Sequence, residues 1–304
     1  MTTPRPTPTK LNVDSTDGVT LHTEIHGHDD APTVVLSHAW ACSTALWEPV
    51  VDALGPHYRV VLYDQRGHGR STAPARTGYS TTALADDLSA VLDATVPAGG
   101  KAVLGGHSMG GMTVMAAARR PQVRDRVAAA LLASTGSANL TATSRVLPTP
   151  ARLRRLTATG HRLLLTAPLP LGPNTPITRA GLKYVAMAPD TAPETVHRCA
   201  RLVHACPTTT RARWGNVLAT LDIDSDAAAL ELPTVLAHGT SDRLTPIAHT
   251  HHMANVLPRC EQIIELPGMG HMTPLEAPDH LAAAITELVA THLGTDHANS
   301  TTEA

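Results

Sequence analysis

The sequence lacks several features that would assign it to a particular class of protein. Neither sign of charge is in excess: the formal net charge is −2, which argues against nucleic acid as a main partner. No apolar run approaches the roughly 18 residues of a membrane-spanning helix, so no stable membrane insertion is expected. The first ten residues also lack the apolar segment of a secretory signal. These absences predict a soluble, cytoplasmic protein.

Cysteine is scarce, and none of the four cysteines belongs to a C-x-x-C pair. That spacing is typical of zinc sites and thioredoxin-like sites, so neither is predicted. Three histidines stand close together at 249, 251 and 252, but they fall on a predicted helix with no further ligand cluster, and no metal site is expected. Phenylalanine is absent, yet apolar residues make up 42% of the 304 residues, which is enough for a sizeable core.

Short apolar runs alternate with helical patterns along most of the chain. This alternation predicts an α/β fold with a mostly parallel central sheet flanked by helices. Residues 11–27 read as an antiparallel hairpin. Buried strands are predicted at 32–37, 58–63, around Val103, at 127–133, 233–237 and 261–266. Helices are predicted at 44–54, 81–94, 112–119 and 279–293.

The alternation stops after the sixth sheet strand and resumes near residue 231. The stretch between has no strand signal and is too long for a loop, so residues 137–230 are expected to form a helical insertion. Its helices are predicted near 151–166, 177–187, 193–206 and 211–221. The remaining parts, 1–136 and 231–304, would form the core, with loose tails at 1–10 and 294–304.

Ser108 stands between a predicted strand and a predicted helix, at the centre of a G-x-S-x-G pattern at 106–110. A serine on a sharp, strained turn needs small neighbours on both sides, because strand and helix cross there almost in contact. Such a turn would expose the hydroxyl and leave the Met109 amide at a helix N-terminus, where an oxyanion can bind. The context predicts a nucleophile elbow. A glycine-rich turn holding an ordinary serine is the alternative.

Nearly the whole chain resembles the α/β-hydrolase superfamily. The resemblance rests on H-A-W at 38–40, D-Q-R-G-H-G-R-S at 64–71, G-H-S-M-G-G at 106–111, G-T-S-D-R-L-T-P at 239–246 and G-M-G-H at 268–271. It implies the α/β-hydrolase fold, with the insertion as a cap over Ser108 that shapes the substrate pocket.

A serine hydroxyl needs a base to take its proton, and the base needs an acid to hold it in one tautomer. The family order is nucleophile, acid, histidine, and Ser108, Asp242 and His271 follow that order. Asp242 comes after a buried strand, at the edge where loops meet the site of an open α/β sheet. The competing acids precede that strand and would lie at the opposite edge; they are Asp222, Asp224 and Asp226.

The resemblance also implies two oxyanion donors, the amides of Met109 and Trp40. Ala39 stands where the family usually has glycine, and its Cβ is expected to restrict the backbone beside Trp40. The Trp40 side chain would either line the pocket or pack in the core. His38 is expected to be a structural hydrogen-bonding residue.

The sequence therefore predicts a cap-bearing serine hydrolase that cleaves a carboxylic ester through an acyl-enzyme, without cofactor or metal. The expected substrate is a small molecule with an apolar acyl or alcohol part. Thioesterase, lactonase, amidase, carbon–carbon hydrolase and perhydrolase activities on the same fold stay open. So do a dedicated role in making one natural product and a receptor that keeps the triad. The oligomeric state is not predicted.

Arginines are concentrated in the first predicted helix of the insertion. Arg152, Arg154, Arg155 and Arg162 stand there beside several leucines. A solvated basic face over an apolar stripe is the expected arrangement. Contact with an anionic substrate or a lipid interface is the alternative.

Overall fold

The structure is a computed structural model that describes residues 6–147, 154–168 and 171–294. Within these residues, eight strands form one sheet. The strands are β1 (Thr9–Asp14), β2 (Thr20–His26), β3 (Thr33–Ser37), β4 (Arg59–Tyr63), β5 (Ala102–His107), β6 (Val127–Ala133), β7 (Thr234–Gly239) and β8 (Cys260–Leu266).

The sheet is mostly parallel, which confirms the predicted fold class. Its strand order is β1-β2-β4-β3-β5-β6-β7-β8, and only the pairs that include β2 are antiparallel among the described strands. The predicted hairpin at 11–27 is β1 and β2. Because β5, β7 and β8 run in the same direction, the loops after these three strands meet at one edge of the sheet.

Both faces of the sheet are covered, which explains why the central strands are continuous apolar runs. On β3, Val34 and Leu36 belong to one buried cluster, whereas Val35 belongs to a second cluster on the opposite face. Successive side chains of a strand point to opposite faces, so a strand buried on both sides needs an apolar residue at every position.

Helices cover these two faces. In chain order they are α1 (Glu48–Leu54), α2 (Thr81–Thr95), α3 (Met109–Ala116), α4 (Pro121–Arg126), α5 (Leu140–Thr143), α6 (Arg154–Thr166), α7 (Pro176–Ala186), α8 (Pro193–Ala205), α9 (Thr208–Ala219), α10 (Asp224–Ala227), α11 (Ala248–Val256), α12 (Thr273–Glu276) and α13 (Pro278–Leu293). Helices α1 and α13 pack in the cluster of Val34, and α2 and α3 in the cluster of Val35.

The helix after Ser108 differs from its prediction at both ends. It begins at Met109 rather than at 112, because the strained turn leads directly into the first helical residue. It ends at Ala116 rather than at 119, and Pro121 starts the separate helix α4. Proline suits a helix start because its missing N–H would have no partner there.

Helices α5 to α10 lie between β6 and β7, in the segment that the sequence marks as an insertion. Helix α6 packs against α5 and α9, and α7 packs against α8. The short helices α5 and α10 are not in the sequence prediction. A third buried apolar cluster joins this segment to the core, and its members are Ala39, Cys42, Leu46, Ala186, Met187, Val196, Cys199, Met272 and Leu275.

The chain ends need one correction. Strand β1 begins at Thr9, so the expected loose tail at 1–10 is wrong for its last two residues, which pair with β2. Residues 1–5 and 295–304 lie outside the described residues, as do Arg152 and the side chains of Arg154 and Arg155. No helix in the described ranges is both long and apolar enough to cross a membrane.

Candidate active site

Ser108 occupies the sharp turn between β5 and α3. Its backbone has φ 53° and ψ −115°, a conformation that residues with a side chain rarely adopt and that costs about 1–3 kcal/mol. The Ser108 amide donates to Ala133 O at 2.9 Å. The Ser108 carbonyl accepts from Met112 N at 3.1 Å and from Thr135 Oγ1 at 2.7 Å. These contacts hold the turn in its strained conformation.

The glycines of the turn are required by close backbone approach. A methyl group on Gly110 would lie 2.0 Å from Ser37 O, and one on Gly106 would lie 2.5 Å from Gly110 O. Real Cβ atoms do not come that close to backbone oxygen. The pattern therefore has the physical origin that the sequence predicts, since strand and helix cross in contact on either side of Ser108.

The structure brings together the three residues expected to form a triad. Ser108 Oγ lies 3.1 Å from His271 Nε2, and His271 Nδ1 lies 2.7 Å from Asp242 Oδ2. All three side chains are buried, and Ser108 is 8% exposed. Asp242 follows β7, His271 follows β8 and Ser108 follows β5, so one edge of the sheet supplies the whole arrangement.

Asp242 accepts hydrogen bonds at both carboxylate oxygens. Its Oδ1 accepts from the amides of Leu244 at 2.8 Å and Thr245 at 3.0 Å. Its Oδ2 faces His271 Nδ1, the Thr245 hydroxyl at 2.9 Å and His238 Nε2 at 3.2 Å. Burial raises the pKa of this carboxyl, but the neighbouring His271 and His238 outweigh burial, so its pKa lies well below the usual value. Asp242 is therefore a carboxylate at neutral pH.

A carboxylate oxygen can only accept, and this decides the tautomer of His271. The ring carries its hydrogen on Nδ1, facing Asp242. The lone pair of Nε2 then faces Ser108 Oγ, and the serine hydroxyl donates to it. This is the arrangement in which an imidazole can take a proton from serine.

Two backbone amides are candidates for binding an oxyanion. Met109 is the first residue of α3, and its amide precedes the hydrogen-bonded part of that helix. Across the described ranges, neither the Met109 amide nor the Trp40 amide donates a hydrogen bond to another protein atom. The Trp40 indole Nε1 donates to Arg211 O at 3.0 Å, so the side chain ties the loop after β3 to the insertion.

Ala39 fits its position without backbone strain. The residue of this loop with a positive φ is Ala41, at 57°, and not Ala39. The Ala39 methyl is buried in the cluster that joins the insertion to the core. The backbone at residue 39 therefore does not require glycine, and the effect of the Ala39 Cβ on the Trp40 amide stays a prediction.

Three of the buried histidines serve as neutral hydrogen-bonding groups; they are His38, His68 and His107. His38 Nε2 accepts from the Gln65 amide at 2.9 Å, while Nδ1 donates to Ala39 O at 2.7 Å. His68 Nε2 accepts from the Ala41 amide at 3.2 Å. Burial lowers the pKa of His38 to about 4 and those of His68 and His107 to about 3.

Comparison with known proteins places this site in a family. The family model for the alpha/beta hydrolase fold matches residues 32–278. The chain belongs to the α/β hydrolase fold family. This confirms the resemblance read from the motifs.

Two curated relatives and one solved structure are similar to this α/β hydrolase. A Mycobacterium tuberculosis protein named as an oxidoreductase (EphD) is 42% identical over 117 residues, which are 38% of this chain and only 20% of that protein. A Variovorax paradoxus protein named as a carbamate hydrolase (RutD) is 34% identical over 239 residues, covering 78% of this chain and 84% of that protein. The structure of a thermophilic esterase from Thermogutta terrifontis has a TM-score of 0.72 at 24% identity, covering 93% and 98% of the two chains.

Sequence reasoning missed three residues that support the site of this α/β hydrolase. Thr245, three residues after Asp242, donates to its carboxylate, and His238, four residues before it, donates to Thr245 O at 2.6 Å with Nε2 3.2 Å from Asp242 Oδ2. His107 Nε2 donates to the carbonyl of His271 at 2.8 Å. The signal for Thr245 was present, since it lies in the G-T-S-D-R-L-T-P motif. Nothing local marks His238 or His107 as partners.

The insertion touches the backbone that carries His271. Ala186 O, at the end of α7, accepts from the amides of His271 at 3.0 Å and Met272 at 3.1 Å. A methyl on Gly270 would lie 2.5 Å from the Met187 carbonyl carbon. Position 270 therefore requires glycine, because the backbone of the insertion occupies the space of a side chain there. From sequence alone, a glycine before His271 suggests freedom for the imidazole to swing, whereas the structure shows a packing requirement.

The competing acids and the histidines at 249, 251 and 252 have partners outside the triad. Asp224 pairs with His252 at 2.9 Å, and Asp226 pairs with Arg119. His251 pairs with Glu265 at 3.1 Å, and the Thr143 hydroxyl lies 2.6 Å from His249 Nε2. The three histidines thus have separate partners, and residues 6–147, 154–168 and 171–294 contain no group of three side chains placed to bind a metal.

Proposed function

We propose that this α/β hydrolase is a serine hydrolase that cleaves a carboxylic ester, or a closely related acyl bond, through an acyl-enzyme. The observation that carries the proposal is the relay from Ser108 Oγ to His271 Nε2 at 3.1 Å and from His271 Nδ1 to Asp242 Oδ2 at 2.7 Å. A strained serine with a base on its hydroxyl and a carboxylate on that base suits acyl transfer.

In the proposed reaction Ser108 Oγ attacks the substrate carbonyl carbon while His271 Nε2 takes the hydroxyl proton. Asp242 holds His271 in the correct tautomer and stabilises the imidazolium that forms. The amides of Met109 and Trp40 donate to the developing oxyanion. His271 then gives its proton to the leaving alcohol, and water, deprotonated by His271, releases the acid and regenerates Ser108. These steps use only side chains and amides of the chain.

We further propose that the insertion, residues 137–230, acts as a cap that encloses the acyl or alcohol part of the substrate. Support comes from the contacts between Ala186 and the His271 loop and from the low exposure of Ser108, 8%. An apolar cluster, which includes Met187 and Met272, joins cap and core beside that loop. An apolar small molecule is therefore the expected substrate. Separately, the cytoplasmic location expected from the sequence stays a prediction.

A carbamate is the second candidate substrate class. The relative named as a carbamate hydrolase is similar over 78% of this chain. Carbamate and ester carbonyls are attacked in the same way, but a carbamate carries nitrogen on the carbonyl carbon and is less electrophilic. The two classes differ in the leaving group and the fit of the pocket rather than in the triad.

The test is hydrolysis of p-nitrophenyl esters, from acetate to dodecanoate, and of a p-nitrophenyl carbamate, by wild type and by Ser108→Ala. Ester turnover that the substitution abolishes would support the proposal, and the optimal chain length would size the pocket. Faster turnover of the carbamate would favour the second candidate. Labelling of Ser108 by a fluorophosphonate, with no turnover of any of these substrates, would contradict the esterase and favour a receptor that keeps the triad.

A further inference from the structure

The first half of the insertion has an unusual charge composition. Residues 137–189 contain no aspartate or glutamate, yet they carry seven arginines and lysines. All 26 acidic residues of the chain lie elsewhere, so a molecule with net charge −2 has a strongly cationic segment. Charge is therefore segregated on this chain, and the cationic part belongs to the helices next to the proposed active site.

The same half of the insertion exposes large apolar side chains. Ile177 on α7 is 83% exposed and Leu163 on α6 is 63% exposed. Of the large hydrophobic residues exposed within the described ranges, only Ile263 lies outside this segment. Single exposed apolar side chains are ordinary, but five in one cationic segment call for an explanation. The five are Leu147, Leu163, Leu171, Ile177 and Tyr184.

Contacts between neighbouring segments connect several of these residues into one surface. Ile177 and Tyr184 are seven residues apart on α7, so they lie on the same side of that helix. The Arg243 guanidinium stacks on the Tyr184 ring at 4.7 Å, and Arg243 O accepts from the amide of Arg145 at 2.7 Å. Two residues further, Leu147 reaches α6, where its Cδ1 would lie 3.1 Å from a Cβ on Gly160.

Leu163 follows Gly160 by one helical turn and extends the same surface. We call this surface the cap face and define it by Arg145, Leu147, Leu163, Ile177, Tyr184 and Arg243. Arg145 and Leu163 are exposed, and Arg162 adds an exposed cation beside Leu163.

We propose that the cap face docks on the surface of an anionic lipid bilayer. Aliphatic side chains flanked by arginines suit the boundary between head groups and acyl chains. There the aliphatic side chains are buried among the acyl chains, and the arginines meet phosphate or carboxylate. A second copy of the chain is a poorer occupant, because it would bring two acid-free cationic segments together. Nucleic acid would leave Ile177 and Leu163 without an apolar partner.

Docking in this orientation places the cap side of the site against the bilayer. Helix α7 carries Ile177 and Tyr184, and its last residue, Ala186, accepts the hydrogen bond from the His271 amide. An apolar ester dissolved in the bilayer would then be next to the cap. This consequence rests on the proposed function, whereas the docking itself does not.

The test is co-sedimentation of the full chain with vesicles of phosphatidylcholine, with or without 30% phosphatidylglycerol. We expect binding to the anionic vesicles only, weakened at high salt because the cationic contribution is screened. The variant Leu163→Ser/Ile177→Ser should bind at least about tenfold more weakly, since two aliphatics leave the interface. Ile263→Ser is the matched control, because Ile263 is 38% exposed on β8, away from the cap face, and should leave binding unchanged.

Several outcomes would overturn the docking proposal. They are equal binding to neutral vesicles, no binding to either kind, or a double variant that binds like wild type. A concentration-dependent dimer that the double variant abolishes, without vesicle binding, would show that a second copy covers the face. Ser108→Ala should bind vesicles like wild type, so loss of esterase activity and loss of docking are measured separately. Melting temperatures of all variants confirm that each is folded.

Discussion

Replacing Asp242 by asparagine should reverse the tautomer of His271. Two backbone amides, those of Leu244 and Thr245, point at Oδ1, and backbone donors cannot become acceptors. The amide oxygen of an asparagine must therefore occupy the Oδ1 position, which forces its NH2 group to the Oδ2 position. There the NH2 group faces His271 Nδ1, and the imidazole can satisfy it only by accepting at Nδ1.

The expected loss of activity follows from that reversal. With its hydrogen on Nε2, His271 would present a donor to Ser108 Oγ, 3.1 Å away, and could not take the serine proton. Triads that lose the correct tautomer lose about 10⁴-fold in kcat. The NH2 group would also face the Thr245 hydroxyl, which can donate to Ser134 O at 3.2 Å instead, and His238 Nε2, which donates to Thr245 O at 2.6 Å. Both donors keep a partner, so the free energy of unfolding should fall by only about 0.5–1.5 kcal/mol.

The assay is kcat on the best p-nitrophenyl ester, with urea denaturation of each variant. Asp224→Asn is the matched control, because Asp224 is one of the competing acids and its carboxylate pairs with His252. Its kcat should equal that of wild type. If Asp242→Asn, still folded, keeps more than about a tenth of the wild-type kcat, Asp242 is not the acid that sets the tautomer. If Asp224→Asn is the inactive variant, the acid has been wrongly assigned.

Three further predictions concern packing and charge around the site. Gly110→Ala should lower the melting temperature by many degrees, because its methyl would lie 2.0 Å from a backbone oxygen. Gly181→Ala in α7 is the control: its methyl would meet nothing within 4 Å, so the free energy of unfolding should rise by about 0.5–1 kcal/mol. The pKa values of His38, His68 and His107 are lowered to about 3–4 in the folded chain, so protonation favours the unfolded chain once the pH falls below about 6.5. The free energy of unfolding should then drop by about 1.4 kcal/mol per pH unit for each of the three. In urea denaturation at pH 7, 6 and 5, His107→Asn should make this pH dependence shallower, and an unchanged slope would contradict the assignment. Glu276→Ala removes the acceptor of two donors in the insertion, at 2.6 and 2.7 Å, so it should lower both stability and kcat, while Glu276→Gln keeps an acceptor there and should lower them less. Equal effects of the two substitutions would show that the hydrogen bonds do not matter.

Features that depend on neighbouring residues were predictable from the sequence. The apolar runs predicted the buried strands, because a strand covered on both faces needs an apolar residue at every position. The G-x-S-x-G pattern predicted a tight crossing around Ser108, because only glycine tolerates a backbone oxygen at 2.0 Å from the position of a Cβ. The G-x-S-x-G pattern, the place of Asp242 after a buried strand and the family order together chose the three residues that the structure brings together, Ser108, Asp242 and His271.

Features that depend on contacts between distant segments required the tertiary structure. His107 and His271 are 164 residues apart, and no local pattern indicates that one donates to the other's carbonyl. The backbone of the loop after β3 required the structure for a related reason, since its positive φ falls at Ala41 and not at Ala39. Gly270 shows the same division most clearly. Its sequence context suggests freedom to move, but the insertion packs against it, and the folded chain needs a glycine there because the Met187 backbone occupies the space of a side chain.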